Sequence, residues 1–394
     1  MNTSSATRTI TPPTGPLTLE AEGPADVRTA ILTARDRGLP LTVQATGHGT
    51  VVAPDEGLLL KTSRMAHVLV DPSRRTARVG PGARWSDVIA AAAPLGLAPL
   101  SGSHASVGVT GYTLGGGVGW LSRRYGFAAD HLLRAGVVTA DGRHLTADAD
   151  HHADLFWALR GGGGNFGVVT SLEFRLHPVS TVYAGTALFP ADRAGDVLTL
   201  FRDESDARPD ELTVSIVVTD HDRYGRVVAV RGVHTGDPDD ARRELRSLWE
   251  AAGPPLHEDF RTMPYAETES LGGIPPLQFD LFADLPDPLI AAIAGSDASA
   301  VEIRHWGGAM ARPAADAGPV GHRDVPFSIT VNGSAETAAP LAAYSTGGSF
   351  LNFLHDPSRT AAAYTPDNHR RLREIKRAYD PQNVFHRNHN IKPA

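Results

Sequence analysis

The 394-residue chain is 41% hydrophobic and 21% charged, with 40 glycines and 29 prolines, the composition of a soluble globular protein. That length suits two domains of roughly 100 to 200 residues each. A net charge of -7 lacks the basic field that phosphate backbones require and argues against nucleic acid as a partner. There is no cysteine, which excludes disulfides, thiolate metal sites and cysteinyl cofactor links; with no signal-like apolar start and no run near ~18 apolar residues, the expectation is a cytoplasmic protein without membrane contact.

After a Thr/Pro-rich leader, the apolar spacing of Val27, Ile31 and Ala34 predicts a helix over Pro24 to Arg37. R-G-L-P ends it, and Leu41 to Gln44 starts a strand that runs into T-G-H-G-T at Thr46 to Thr50. Short strands follow around Gly57 to Leu60 and Ala77 to Val79, then a G-P-G turn and a helix from Trp85 to Ala93. The stretch from Gly102 to Gly119 is glycine-rich throughout. A hairpin comes next, whose Asp141-Gly142 pair suits a type I′ turn, then a short helix D-L-F-W-A-L-R, the run G-G-G-G-N-F-G and a strand V-V-T-S-L-E-F-R-L. Beyond Val179, strand-like runs (Val182 to Phe189, Leu212 to Thr219, Arg226 to His234, Ala300 to Arg304, Phe327 to Val331) alternate with helical ones (Ala191 to Asp203, Pro238 to Ala252). This predicts a sheet with helices on one face. A last helix, Pro366 to Tyr379, opens on proline and stops at Asp380-Pro381 before the tail H-R-N-H-N-I-K-P.

Most familiar motifs are excluded. Gly162-x-Gly164-x-x-Gly167 has the spacing of a dinucleotide fingerprint, but it follows a helix and precedes a strand, the reverse of the order that points a helix N-terminus at a pyrophosphate. None of the three lysines follows a glycine, so there is no Walker loop, and no G-x-S-x-G or H-E-x-x-H occurs. His386-x-x-His389 reads as a surface or structural pair, and no metal site is expected. What remains is glycine used for close approach: bare backbone N–H groups can wrap a diphosphate and lie against a planar ring without lysine. Val107, Val109, Leu114, Val118 and Trp120 supply apolar anchors that a flexible linker would lack.

The segments T-G-H-G-T, V-G-P-G-A-R-W-S-D-V, S-V-G-V-T-G-Y-T-L-G-G-G-V-G-W-L, F-W-A-L-R-G-G-G-G-N-F-G-V-V-T and Y-D-P-Q-N-V-F-H-R-N-H-N-I, in that order, resemble the FAD-linked oxidases of the vanillyl-alcohol-oxidase, or PCMH, fold. Within these the likeness is to the berberine-bridge-enzyme group and its bacterial 6-hydroxy-D-nicotine-oxidase type. The resemblance implies an α+β protein: a PCMH-type FAD-binding domain of two small α/β subdomains over residues 1–178, a substrate domain with a helix-covered antiparallel sheet over 179–354, and a C-terminal segment, 355–394, returning to the FAD domain. His48 corresponds to the histidine that bonds to the flavin 8α-methyl carbon, with tightly held noncovalent FAD as the alternative. Implied cofactor contacts are Thr46, Gly47, His48, Gly49, Thr50, Pro81, Gly82, Gly102, Ser103, His104, Val107, Gly108, Gly111, Gly115, Gly116, Val118, Gly119, Gly164, Gly167, Val168, Val169, Asn388 and Asn390.

Two departures from the family pattern stand out. His104 takes the place of the cysteine that makes a second flavin bond in some members, so at most one bond is available. The tyrosine base of a Y-x-N-Y/F motif is missing, because the chain reads F-L-N-F from Phe350 to Phe353. The resemblance places the strand V-E-I-R-H-W-G-G at Val301 to Gly308 where relatives line the substrate cavity, which makes Glu302 and Arg304 on one face and His305 on the other the implied base or orienting candidates, with His104 and Tyr112 near the ring as alternatives. Val107 is a small residue beside the expected flavin face, which among relatives accompanies oxygen access. The implied activity is oxidation of a small organic molecule with O2; non-redox or oxidative cyclisation on the same scaffold and non-catalytic flavin binding are the alternatives. Oligomeric state is left open.

Overall fold

The computed structural model describes residues 15–394. Three short parallel strands, β1 (Leu17–Glu20), β2 (Leu41–Gln44) and β3 (Leu58–Lys61), pair in the order β1-β3-β2. The helix Pro24–Asp36 packs Val27, Ala30, Ile31 and Ala34 against Leu41, Leu58 and Leu60. Proline at its first turn and Asp26, which accepts from the backbone N–H of Gly23, start that helix where the apolar spacing begins.

A second sheet runs β4 (Val68–Asp71), β5 (Thr76–Val79), β8 (Val168–Arg175), β6 (Leu132–Val138), β7 (His144–Asp148), and every pairing in it is antiparallel. The β6–β7 turn differs from the expected type I′. Gly142 alone has positive φ (83°), its N–H bonds Thr139 O at 2.9 Å, and Arg143 closes the loop on Thr139. This is a tight turn followed by a left-handed glycine, and Asp141 instead accepts from the Thr139 hydroxyl at 2.6 Å.

The third sheet is larger and antiparallel. Its strands are β9 (Thr181–Pro190), β10 (Leu212–His221), β11 (Gly225–His234), β12 (His257–Glu258), β13 (Arg261–Pro264), β14 (Gln278–Phe282), β15 (Ala300–His305) and β16 (Phe327–Asn332). The order is β12-β9-β11-β10-β15-β16-β14, with β13 also on β9. Period-2 alternation divides its faces. Val214, Ile216, Val218, Val228, Val230, Val301, Ile303, Phe327 and Ile329 share a core with the helices Ala194–Asp203, Pro238–Ala252, Asp287–Ala294 and Ala335–Ala342. The opposite face carries Ser215, Glu302, Arg304, Ser328 and Thr330.

The chain then returns. Leu351, Ala363, Tyr364, Leu372, Ile375 and Ile391 pack in the same core as Trp85, Tyr112, Leu155 and Phe166. The final helix, Pro366–Tyr379, is capped by the Thr365 side chain accepting from Asn368 N–H at 3.3 Å. At its end Lys376 and Asp380, both with fully buried side chains, form an ion pair of 2.6 Å. The ammonium also donates to Asn165 O (2.8 Å) and Phe385 O (2.9 Å), and the carboxylate accepts the N–H groups of Val384 and Phe385. Asn165 completes the closure, donating to His389 O and accepting from Ile391 N–H, each at 2.9 Å. No helix among the described residues is long and apolar enough to cross a membrane.

Candidate active site

Where the helix-free face of the large sheet meets the two small sheets there is a cavity of about 480 Å³. Segments far apart in sequence converge on it: residues 43–51, 102–118, 163–169, the β15 and β16 side chains, 351–355 and the tail at 385–389.

T-G-H-G-T leaves the end of β2 as a turn in which Gly47 adopts φ 80° and the Thr50 hydroxyl donates to Gly47 O at 3.0 Å. His48 is thereby presented, exposed, at the cavity edge. Its imidazole pKa is lowered from 6.5, first by partial desolvation against the wall and then by neighbouring His104. At neutral pH it therefore presents a free nitrogen lone pair. The tail crosses behind this turn: Asn388 accepts from Val52 N–H at 3.3 Å, and Arg387 pairs with Asp55 at 2.9 Å.

The glycine-rich stretch is partly helical, with a short helix at Val109–Leu114 that the sequence reading lacked. Gly49, Gly111 and Gly164 line the cavity, and a Cβ on any of them would meet no protein atom within 4 Å, so their bare backbone faces the void. Gly102 and Gly108 make room for other parts of the lining, since a Cβ would come 2.9 Å from the Tyr112 ring and 2.6 Å from Thr46 Oγ1. Apolar walls with backbone N–H groups and no lysine fit a planar, phosphate-bearing cofactor held by main chain.

Most of the expected cofactor residues do line the cavity: Thr46, Gly47, His48, Gly49, Thr50, Pro81, Gly102, Ser103, His104, Val107, Gly108, Gly111, Gly115, Val118, Gly164, Gly167, Val168, Val169 and Asn388. Gly82, Gly116, Gly119 and Asn390 do not. Gly82 and Gly119 are pressed against the backbone of Ser63 and Ser101, Gly116 accommodates the Phe350 ring, and Asn390 lies within the tail segment that Asn165 holds at His389 and Ile391.

Of the catalytic candidates, Glu302, Arg304, His104 and Tyr112 line the cavity and His305 does not. Glu302 Oε1 accepts from Ser215 Oγ at 2.6 Å and from Arg304 Nη2 at 3.0 Å. Burial works to raise its pKa, but Arg304, the Ser215 hydroxyl and then Arg231 outweigh it and hold the carboxyl below its usual 4.5. Tyr112 is buried edge-on to Trp85 at 5.3 Å with no partner for its hydroxyl, and burial raises its pKa well above 10. It can donate a proton in a hydrogen bond but is a poor base. His305 faces the helix-covered core as strand alternation requires. Its Nδ1 accepts from Arg123 at 2.6 Å, and burial, then Arg123, lowers its pKa to about 3. Arg123 itself comes from the small-sheet side, on the helix Ser122–Tyr125, and donates to the carbonyls of Leu212, Arg208 and Trp306.

Asn352 was not singled out from the sequence. Its Oδ1 accepts from Gly117 N–H at 2.9 Å and its Nδ2 donates to Tyr112 O at 3.1 Å, pinning the returning segment to the glycine-rich stretch. Phe279, Trp306, Phe353, Gly273, Ile274 and Pro276 are further lining residues without a local signal.

A cavity lined by bare glycine backbone and apolar side chains, with an exposed histidine at one edge and the Glu302–Arg304 pair opposite, fits a flavin. Residues 16–148 match the family model of the FAD binding domain, and residues 349–392 that of berberine and berberine-like proteins. (R)-6-Hydroxynicotine oxidase of Paenarthrobacter nicotinovorans is 31% identical, over 93% of this chain and 89% of that protein. The crystal structure of 6-hydroxy-D-nicotine oxidase from Arthrobacter nicotinovorans superposes with a TM-score of 0.84 at 28% identity, covering 98% of this chain and 94% of the other. Glucooligosaccharide oxidase from Acremonium strictum, described with a 6-S-cysteinyl, 8α-N1-histidyl FAD, shares the fold with a TM-score of 0.83 at 22% identity, covering 96% and 92%. The chain belongs to the berberine-bridge-enzyme-like FAD-linked oxidoreductases, and FAD is its cofactor.

Proposed function

We propose that the protein is an FAD-dependent oxidase of a small organic molecule, with the flavin tethered through His48 alone. The observation that carries this reading is the convergence of T-G-H-G-T, the 102–118 stretch, the 163–169 loop and the tail on one cavity. Bound there, FAD would accept a hydride from a carbon bearing a hydroxyl or amine and pass the electrons to O2. The backbone of 108–115 and 163–167 would hold it, and His48, neutral at pH 7, has the free nitrogen that a link to the 8α-methyl carbon needs. Glu302 and Arg304 would orient the substrate from the sheet side. Because Glu302 stays ionised, it accepts a hydrogen bond from a substrate O–H or N–H and does not donate one. Exposed His104 lines the same cavity as Glu302 and Arg304. Val107 in the cavity wall supports oxygen as the second substrate.

The test is acid precipitation of the purified protein. Yellow colour is expected to stay with the polypeptide in the native sequence and to leave with the supernatant in His48→Ala. Flavin freed from the native protein sinks the tether, and a protein that carries no flavin absorption sinks the reading. Substrate turnover without oxygen consumption, giving an isomeric product, points to the cyclase alternative.

A further inference from the structure

Arg231, Ser215 and Arg304 stand side by side on β11, β10 and β15, in register and on the same face of the large sheet. Glu302, two residues along β15, is the carboxylate this row contacts, and it takes bonds from Ser215 and Arg304 on one oxygen. Glu302 pairs with Arg304 alone, and the Arg231 guanidinium has no carboxylate at ion-pair distance among the described residues, so the row carries two positive charges against one negative. Arg304 lines the cavity; its Nε is buried with no partner, its charged head lies 5.3 Å over the Trp120 ring, and beyond Glu302 it meets only Ser103 Oγ at 3.4 Å. Arg231 has two buried nitrogens, Nε and Nη1, without a hydrogen-bond partner, and no other arginine among the described residues has more than one. Arg123 has an acceptor for every nitrogen, and the buried Arg160 and Arg208, also away from the cavity, each leave only Nε without one. Next to Arg304 the wall is aromatic, formed by Phe279, Trp306 and Phe353, with the Trp306 N–H already spent on Ser328 at 2.8 Å.

We propose that the ligand on the sheet side of this cavity is an apolar, aromatic carboxylic acid, its carboxylate held by Arg304, with Arg231 beside it keeping the row net positive after Glu302 is counted. A planar guanidinium presents paired donors to a carboxylate, and the aromatic wall accommodates the rest of the molecule. This deepens the reading of the cavity as a flavin and substrate site, and rests on it.

Isothermal titration of the purified protein with benzoate and with benzamide, its neutral isostere, tests the proposal, with the flavin spectrum recorded on the same sample. Benzoate is expected to bind saturably, about tenfold or more tighter than benzamide, and to perturb the flavin absorption. Arg304→Gln is expected to erase the preference, Arg304→Lys to keep part of it, and Arg231→Gln to weaken benzoate by a smaller factor. Equal affinities, no saturable benzoate binding, or a preference that survives Arg304→Gln overturns the proposal, the last placing the surplus charge at the service of the flavin. Should Arg304→Gln not fold, the benzoate and benzamide comparison on the unaltered protein still decides. Selective benzoate binding by a protein without flavin absorption would sink the FAD reading alone, and a flavin-bearing protein with no selectivity would sink the carboxylate alone.

Discussion

The Lys376–Asp380 pair and the Glu302–Arg304–Arg231 group are both buried ion clusters, and they are finished to different degrees. Around the first, three acceptors surround the ammonium and two backbone N–H groups join it on the carboxylate, so no charge and no hydrogen bond is left over. Around the second, three guanidinium nitrogens are unpartnered and the charges do not cancel. A cluster that is complete in the protein alone holds structure, here the tail that brings Asn388 to the cavity. One that is incomplete and borders a void is poised to be completed by something else.

Breaking the closed cluster should have the largest effect. Asp380→Ala leaves a buried ammonium uncompensated and is expected to destabilise the fold by about 3–5 kcal/mol, read from urea unfolding. Replacing both partners, Lys376→Met with Asp380→Leu, often restores stability for a simple buried pair, but here the N–H groups of Val384 and Phe385 remain orphaned. A residual loss of about 2 kcal/mol or more is expected, and full recovery would show the backbone bonds to be dispensable. In the open cluster, Glu302→Gln should cost only about 1–2 kcal/mol, because the cavity lets water reach the freed arginine. The same change is expected to tighten benzoate several-fold, since it unmasks Arg304; a weakened affinity would contradict the open-cluster picture.

The smallest effect is a pH dependence. Glu302 has a folded pKa below its free value of 4.5, so its contribution is fully present above 4.5 and is lost as pH falls through the lowered folded value. The stability difference between native protein and Glu302→Gln should therefore be flat from neutral pH to about 5 and shrink only at lower pH. A difference that fades between pH 7 and 5 would mean that the carboxylate is not held by its arginines.

Elements with a strong period were legible. Leu41–Gln44, Pro238–Ala252 and Pro366–Tyr379 begin and end where apolar spacing and capping residues say they should. The Val109–Leu114 helix was not, because Gly111 and the β-branched Val109, Thr110 and Thr113 argue against helix locally, and packing of Tyr112, Thr113 and Leu114 in the core overrides them. Strand β14 was hidden by its isolation, one short run after two prolines whose partner lies about fifty residues on. In the site, T-G-H-G-T and the glycine runs were visible because they are local in sequence. Asn352, Asn165 and Arg231 were not, because what they do depends on which distant strand or tail the fold brings beside them.

Arg123 carries one more consequence. Its side chain leaves the cofactor-side sheets and ends among carbonyls and a histidine that belong to the large sheet, so prising the two halves apart would strand a guanidinium and its acceptors together. A hinge that opens the cavity by swinging one half away would have to break all of these bonds at once. The halves also share an apolar core, in which Val182, Ala184, Val233, Met263 and Tyr265 pack with Trp85, Tyr112 and Leu155, so calorimetry should show one unfolding transition, and Arg123→Ala is expected to lower its midpoint without splitting it.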